Sequence, residues 1–174
     1  MGEVIVSAGG GAVGEALLRT ALAARRLTAL AGAPWRLLVG PNLPQGLLAE
    51  LQAAAPPGVV VEPARPDFIQ LIARCRLSIS QAGYNTLMEL MALGTRAVVV
   101  PFAAAAETEQ TLRAELIAAK GLIEVVREDM LAPEALAAAA DRALARPADA
   151  KLVLNLSGLA TSVELIRQAV TEAR

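Results

Sequence analysis

The stretch Val4-Ile5-Val6-Ser7-Ala8-Gly9-Gly10-Gly11-Ala12-Val13-Gly14 decides the fold. A β-branched run passes through three consecutive glycines into a helical pattern. In that pattern Ala16, Leu17, Ala21, Ala24 and Leu27 keep one apolar stripe, while Arg19, Arg25 and Arg26 stay free to face water. Strand, glycine loop and helix in this order make the opening of a βαβ unit.

Outward from it, short apolar runs at 4–8, 36–39, 59–62, 77–80, 96–101 and 122–126 read as strands. Helical patterns at 14–31, 45–55, 67–75, 85–93 and 107–119 lie between them, and Gly94 and Gly121 mark helix ends where a left-handed cap is needed. The alternation predicts an α/β fold, a Rossmann-like three-layer sandwich with a mostly parallel six-stranded sheet. Two further helices are expected at 129–145 and 150–174, with Pro147 between them. The last presents Leu152, Leu156, Leu159, Val163, Ile166 and Val170 at helical spacing and is expected to pack back on the domain. The 174 residues fit one domain, 1–174, around one core.

Composition narrows the function. Sixteen basic and 17 acidic residues leave a net charge of -1, which gives no footprint for nucleic acid. The apolar fraction of 55% is largely alanine among charges, and no run reaches the roughly 18 residues of a membrane-spanning helix without a proline breaking it. A single cysteine, Cys75, excludes an internal disulfide framework and suits a reducing, cytoplasmic compartment. The chain has no histidine, so the commonest general base near neutral pH is missing and no zinc site is expected. Any base must be a carboxylate or lie on another domain.

Three segments that follow strands could carry chemistry. The glycines at 9, 10 and 11 let the backbone approach an anion beside a helix start. Gly9, Gly11 and Gly14 match G-x-G-x-x-G, but the acid that would hold a dinucleotide ribose after the second strand is replaced by Gly40-Pro41-Asn42. In the second segment, Ala82-Gly83-Tyr84-Asn85-Thr86 turns the fourth strand into a helix, and Asn85 or Thr86 is expected to supply a capping oxygen. Glu89 lies about one turn later, either as a solvated helix residue or as a carboxylate able to hold a ribose diol. In the third, Pro101-Phe102 and the small-residue loop 103–106 lead to Glu107-Thr108-Glu109-Gln110. These polar groups either answer a helix dipole or meet sugar hydroxyls. In a doubly wound sheet all three segments converge beyond the carboxyl ends of the strands.

Together, the glycine loop, the Ala82-Gly83 turn with Thr86 and Glu89, and the Pro101-Phe102 strand end followed by Glu109-Gln110 resemble the C-terminal domain of glycosyltransferase family 28. That family includes the peptidoglycan N-acetylglucosaminyltransferase that makes lipid II, and the resemblance spans about residues 4–145. It implies one half of a GT-B glycosyltransferase. It further implies a UDP-sugar donor, with Gly9, Gly10, Gly11, Ala82, Gly83, Tyr84, Asn85, Thr86 and Glu89 at the nucleotide and Glu109 and Gln110 at the sugar. The scheme requires neither metal nor cofactor. An acceptor-binding N-terminal domain or a separate acceptor-binding subunit is the expected partner, through which the protein would associate indirectly with a membrane. The loop before Glu109 is about one residue longer than in the lipid II enzyme, and Glu109 puts a carboxylate where the family has an amide, so the resemblance fixes the sugar less firmly than the nucleotide. A sugar-nucleotide epimerase and a non-catalytic nucleotide-binding module share the architecture and stay open at this point.

Overall fold

A computed structural model describes residues 2–102, 108–146 and 158–172. Its six strands are β1 Val4–Ser7, β2 Trp35–Val39, β3 Val59–Pro63, β4 Leu77–Gln81, β5 Ala97–Val100 and β6 Glu124–Val125. They form one sheet in the order β3-β2-β1-β4-β5-β6, with every neighbouring pair parallel. The helices are α1 Glu15–Ala24, α2 Leu47–Ala54, α3 Phe68–Arg74, α4 Tyr84–Leu93, α5 Glu109–Ala118, α6 Pro133–Ala145 and α7 Gly158–Glu172.

Parallel strands need crossovers, and the crossovers cover both faces of the sheet. Every residue of β1, β4 and β5 is accordingly buried. On one face Val4, Val6, Ile79 and Val98 pack against Leu17 and Leu18 of α1, Leu51 of α2 and Leu136 of α6. On the other, Ile5, Leu38 and Val99 pack against Ile72 of α3, Leu87 and Leu90 of α4 and Ile117 of α5. The strand order reverses between β1 and β4, the position at which doubly wound sheets open a crevice for a ligand.

Several boundaries differ from the sequence pattern for identifiable reasons. The first helix stops at Ala24 and tightens into a 3₁₀ turn, Arg25–Leu27. Thr28 is extended there and its Oγ1 accepts the Leu30 N–H at 2.8 Å, offering the backbone a partner outside the helix. Leu30 is thereby buried, and its carbonyl receives Trp35 Nε1–H at 3.0 Å. The pattern at 129–145 divides into a 3₁₀ turn at Glu128–Met130 and α6, because Pro133 at the helix start holds Ala132 extended. β6 keeps only two residues of the five expected, as the edge of the sheet.

α6 packs on the sheet as expected, with Leu136, Ala139 and Ala140 buried. The described side chains of α7, from Thr161 to Thr171, are all exposed, Val163, Ile166 and Val170 included. Both sheet faces are covered by α1 to α6. Leu152, Leu156, Pro147, the loop 103–106 and Glu107 lie outside the described residues. Among the described residues no helix is long and apolar enough to cross a membrane.

Candidate functional site

The glycine loop is tied down from two sides. Ser7 Oγ accepts the Gly9 N–H at 3.2 Å, and Asn42 Nδ2 donates to the Gly10 carbonyl at 2.7 Å. Gly40 lies so close beneath that a Cβ added to it would stand 2.2 Å from the Gly9 carbonyl oxygen. Gly40-Pro41-Asn42, which occupies the place of a dinucleotide-binding acid, thus acts as the seat of this loop.

Facing the loop is the start of α4. Gly83 is the residue that caps it, in extended conformation, and no side chain provides the cap. The helix begins at Tyr84, one residue earlier than its pattern suggests, so Asn85 and Thr86 lie inside the first turn and neither acts as the expected capping oxygen. The first helical bond runs from Leu87 N–H to the Gly83 carbonyl at 3.0 Å, which leaves the N–H groups of Tyr84, Asn85 and Thr86 ahead of the ladder. A Cβ on Gly10 or on Gly83 would meet nothing within 4 Å. Neither glycine is demanded by the packing of this chain, and open space over bare backbone is what an approaching anion needs.

Two cavities meet here. One, of about 290 Å³, is lined by Gly9 to Gly11, Gly83 to Thr86, Gln81 and Gln110. The other, of about 240 Å³, shares Gly9, Gly10, Asn85 and Thr86 with it and adds Ser7, Leu38, Ala64, Arg65, Phe68 and Glu89. The four shared residues form a threshold of backbone and small polar groups between two compartments. Glu89 is half-buried in the second compartment. No lysine or arginine lines the first compartment, so its capacity for anions rests on amides.

Two residues of the expected set fall outside. Ala82 is fully buried beneath the turn and lines neither cavity. Glu109 is 76% exposed at its side chain and pairs with Arg113, whose guanidinium stands 5.0 Å from the centre of the Tyr84 ring. Gln110 alone reaches the cleft, where its Oε1 accepts the Phe102 N–H at 3.3 Å. Successive helix residues point about 100° apart at 3.6 residues per turn, so one of an adjacent pair faces the cleft and the other turns away.

Sequence reasoning missed the wall built by the loop after β3. Arg65 donates from Nε and Nη2 to the two carboxylate oxygens of Asp67, at 2.7 Å each, and from Nη1 to Glu62 at 3.3 Å. The Arg65 guanidinium holds the Asp67 carboxyl below the usual carboxylate range. Glu62 is held in turn by Arg36 at 2.7 Å, and Arg36 grips Glu3 at 2.8 and 2.9 Å. Gln81 was also missed. It ends β4, is nine-tenths buried, and its Oε1 has no partner among the described residues. The available signal was topological, because both residues follow or end strands on the carboxyl edge. Burial pushes the Cys75 thiol up to about 12, which disfavours the thiolate, and its Sγ donates to the Ile72 carbonyl.

The family model described as "Glycosyltransferase family 28 C-terminal domain" matches residues 4–155. The chain belongs to this family. Among curated relatives of the family 28 domain is a UDP-N-acetylglucosamine–N-acetylmuramyl-(pentapeptide) pyrophosphoryl-undecaprenol N-acetylglucosamine transferase of Syntrophotalea carbinolica. It is 39% identical over 77 residues, covering 44% of this chain and 22% of that enzyme. Among solved structures, MurG of Acinetobacter baumannii superposes with a TM-score of 0.63 at 21% identity, over 95% of this chain and 49% of that one. Os79 of O. sativa, solved in complex with UDP, superposes with a TM-score of 0.61 at 19% identity, over 79% of this chain and 30% of that one. These likenesses show the fold, that of one half of a GT-B glycosyltransferase, and the chain covers 22% of the first relative through the 77 matched residues and about half of the MurG chain.

Proposed function

We propose that this domain binds the nucleoside diphosphate sugar that serves as donor in a glycosyl transfer, and that UDP is its nucleotide. The observation that carries the reading is the pair of cavities joined at an amide threshold. A nucleotide sugar has the same three-part plan, with a nucleoside and a sugar separated by a diphosphate. The diphosphate lies across Gly9, Gly10 and the first N–H groups of α4, the ribose diol meets Glu89, and the sugar extends toward Gln110.

In the transfer, a sugar carbon–oxygen bond breaks as an acceptor hydroxyl attacks, and the leaving nucleoside diphosphate takes up negative charge. Amides already aimed at the diphosphate stabilise that charge without reorganising. Deprotonation of the acceptor needs a base, and among the described residues the two cavities offer one carboxylate, Glu89, which the ribose occupies. The base and the acceptor site therefore belong to a partner, either an N-terminal domain or a separate subunit, docked over the open cleft. A cytoplasmic setting, with any membrane contact made through that partner, completes the reading.

Calorimetric titration of the chain with UDP and UDP-N-acetylglucosamine tests it. Both ligands are expected to bind and to raise the melting temperature, with negligible sugar transfer. No heat and no stabilisation with any nucleoside diphosphate would remove the reading. Gln110→Ala is expected to weaken the sugar-bearing ligand by about three- to tenfold, the contribution of one neutral hydrogen bond, and to leave UDP unchanged. Equal weakening of both ligands would move the sugar elsewhere.

A further inference from the structure

We infer that Asn42 is a positioning residue for the donor, holding the peptide between Gly10 and Gly11 so that its N–H, and not its carbonyl, faces the diphosphate. The inference rests on the nucleotide reading above and concerns how the glycine loop acquires its donor character. Ser7 Oγ takes the Gly9 N–H, so the loop's donors to a ligand are the N–H groups of Gly10 and Gly11, which have no partner among the described residues. Two successive carbonyls point the other way. The Gly10 oxygen accepts from Asn42 Nδ2 at 2.7 Å, and the Gly9 oxygen lies where a Cβ on Gly40 would collide with it. In a planar trans peptide the C=O and the N–H that follows it are antiparallel. The Gly10 and Gly11 N–H groups therefore turn away from residues 40–42. That side is the cleft, because Gly10 and Gly11 line the first cavity and neither Gly40 nor Asn42 lines either one.

The two peptides are held by different means. The Gly9 carbonyl rests against the Gly40 backbone, whereas the Gly10–Gly11 peptide joins two residues without a Cβ, and a Cβ on Gly10 would meet nothing within 4 Å. Packing therefore leaves this plane free to turn over, and the bond from Asn42 decides its direction. A turned plane would set a carbonyl oxygen against the diphosphate in place of an N–H, exchanging an attraction for a repulsion. Asn42 itself is exposed, and its side chain makes no other hydrogen bond among the described residues. Its contribution is thus to the direction of the loop amides and not to the packing of the fold.

The test combines calorimetry with UDP, melting of the unliganded protein and amide NMR, on the chain and on Asn42→Ala, Asn42→Gln and Asn42→Asp. Asn42→Ala should weaken UDP by about three- to tenfold, the contribution of one neutral hydrogen bond, and leave the melting temperature unchanged. Asn42→Asp keeps the shape but cannot donate when ionised, and it sets a carboxylate against the Gly10 carbonyl, so it should weaken UDP further than Asn42→Ala does. Asn42→Gln keeps the donor on a longer stem and should regain part of the affinity lost in Asn42→Ala. In the unaltered chain UDP should shift the Gly10 and Gly11 amide resonances, and in Asn42→Asp the Gly11 shift should be lost. Unchanged UDP affinity in Asn42→Asp, a loss of affinity matched by a loss of melting temperature, or Gly10 and Gly11 resonances that UDP leaves in place in the unaltered chain would overturn the inference and leave the nucleotide reading standing. Failure of UDP to bind the unaltered chain would instead overturn the nucleotide reading and this inference with it.

Discussion

Gly40→Ala is expected to lower the unfolding free energy by about 1–3 kcal/mol, as overpacking does, and to weaken UDP binding although residue 40 lines neither cavity. The new Cβ would stand 2.2 Å from the Gly9 carbonyl oxygen, a backbone atom that cannot rotate away as a flexible side chain would. Either the end of β2 withdraws from the sheet, which weakens the fold, or the Gly9 to Gly11 loop swings off its seat. The second course also strains the bond from Asn42 to the Gly10 carbonyl and spoils the amide threshold. Denaturant unfolding measures the first effect and calorimetry with UDP the second. A variant with unchanged stability and unchanged UDP affinity would show that the loop is not pinned from below.

Glu89→Gln is expected to weaken UDP and UDP-N-acetylglucosamine alike, by about tenfold if one charge-assisted hydrogen bond to the ribose is lost and more if both hydroxyls are affected. The substitution keeps size and shape, and Glu89 has no hydrogen bond or ion pair among those described for the chain, so the fold should be untouched. Comparing uridine-bearing ligands with pyrophosphate separates the roles, because pyrophosphate has no ribose and should bind the variant as before. Undiminished affinity for both nucleotides in a folded Glu89→Gln would place the ribose elsewhere in the cleft.

The sheet was legible because β1, β3 and β5 are compact β-branched runs, and because central parallel strands buried on both faces leave apolar signals. Where the sequence misled, a local hydrogen bond or a single angle decided. Thr28 ends the first helix by capturing the Leu30 amide, an event that no apolar stripe records. Glu109 and Gln110 are neighbours in sequence and face different ways on α5, so a motif naming both could not say which one reaches the cleft. The cradle itself was readable as glycines after strands. The wall of Ala64, Arg65 and Phe68 was not, because an arginine and a phenylalanine in a turn have no spacing that distinguishes a binding surface from an ordinary loop. Only the order β3-β2-β1-β4 brings that loop beside the glycines.

The two apolar cores lie on opposite faces of the sheet and are separated by its backbone. Ala8, from the α1-side core, lines the first cavity together with Tyr84, Asn85 and Thr86 of α4 and Gln110 of α5, and Leu38 and Phe68, from the α3-side core, line the second. On the proposed reading, a nucleotide sugar seated in both would touch residues that belong to each of the two cores, at the carboxyl edge of the sheet. A donor bound there would be expected to couple the melting of the two layers. On that reading the donor would act as a mechanical part of the domain while a partner aligned an acceptor against it.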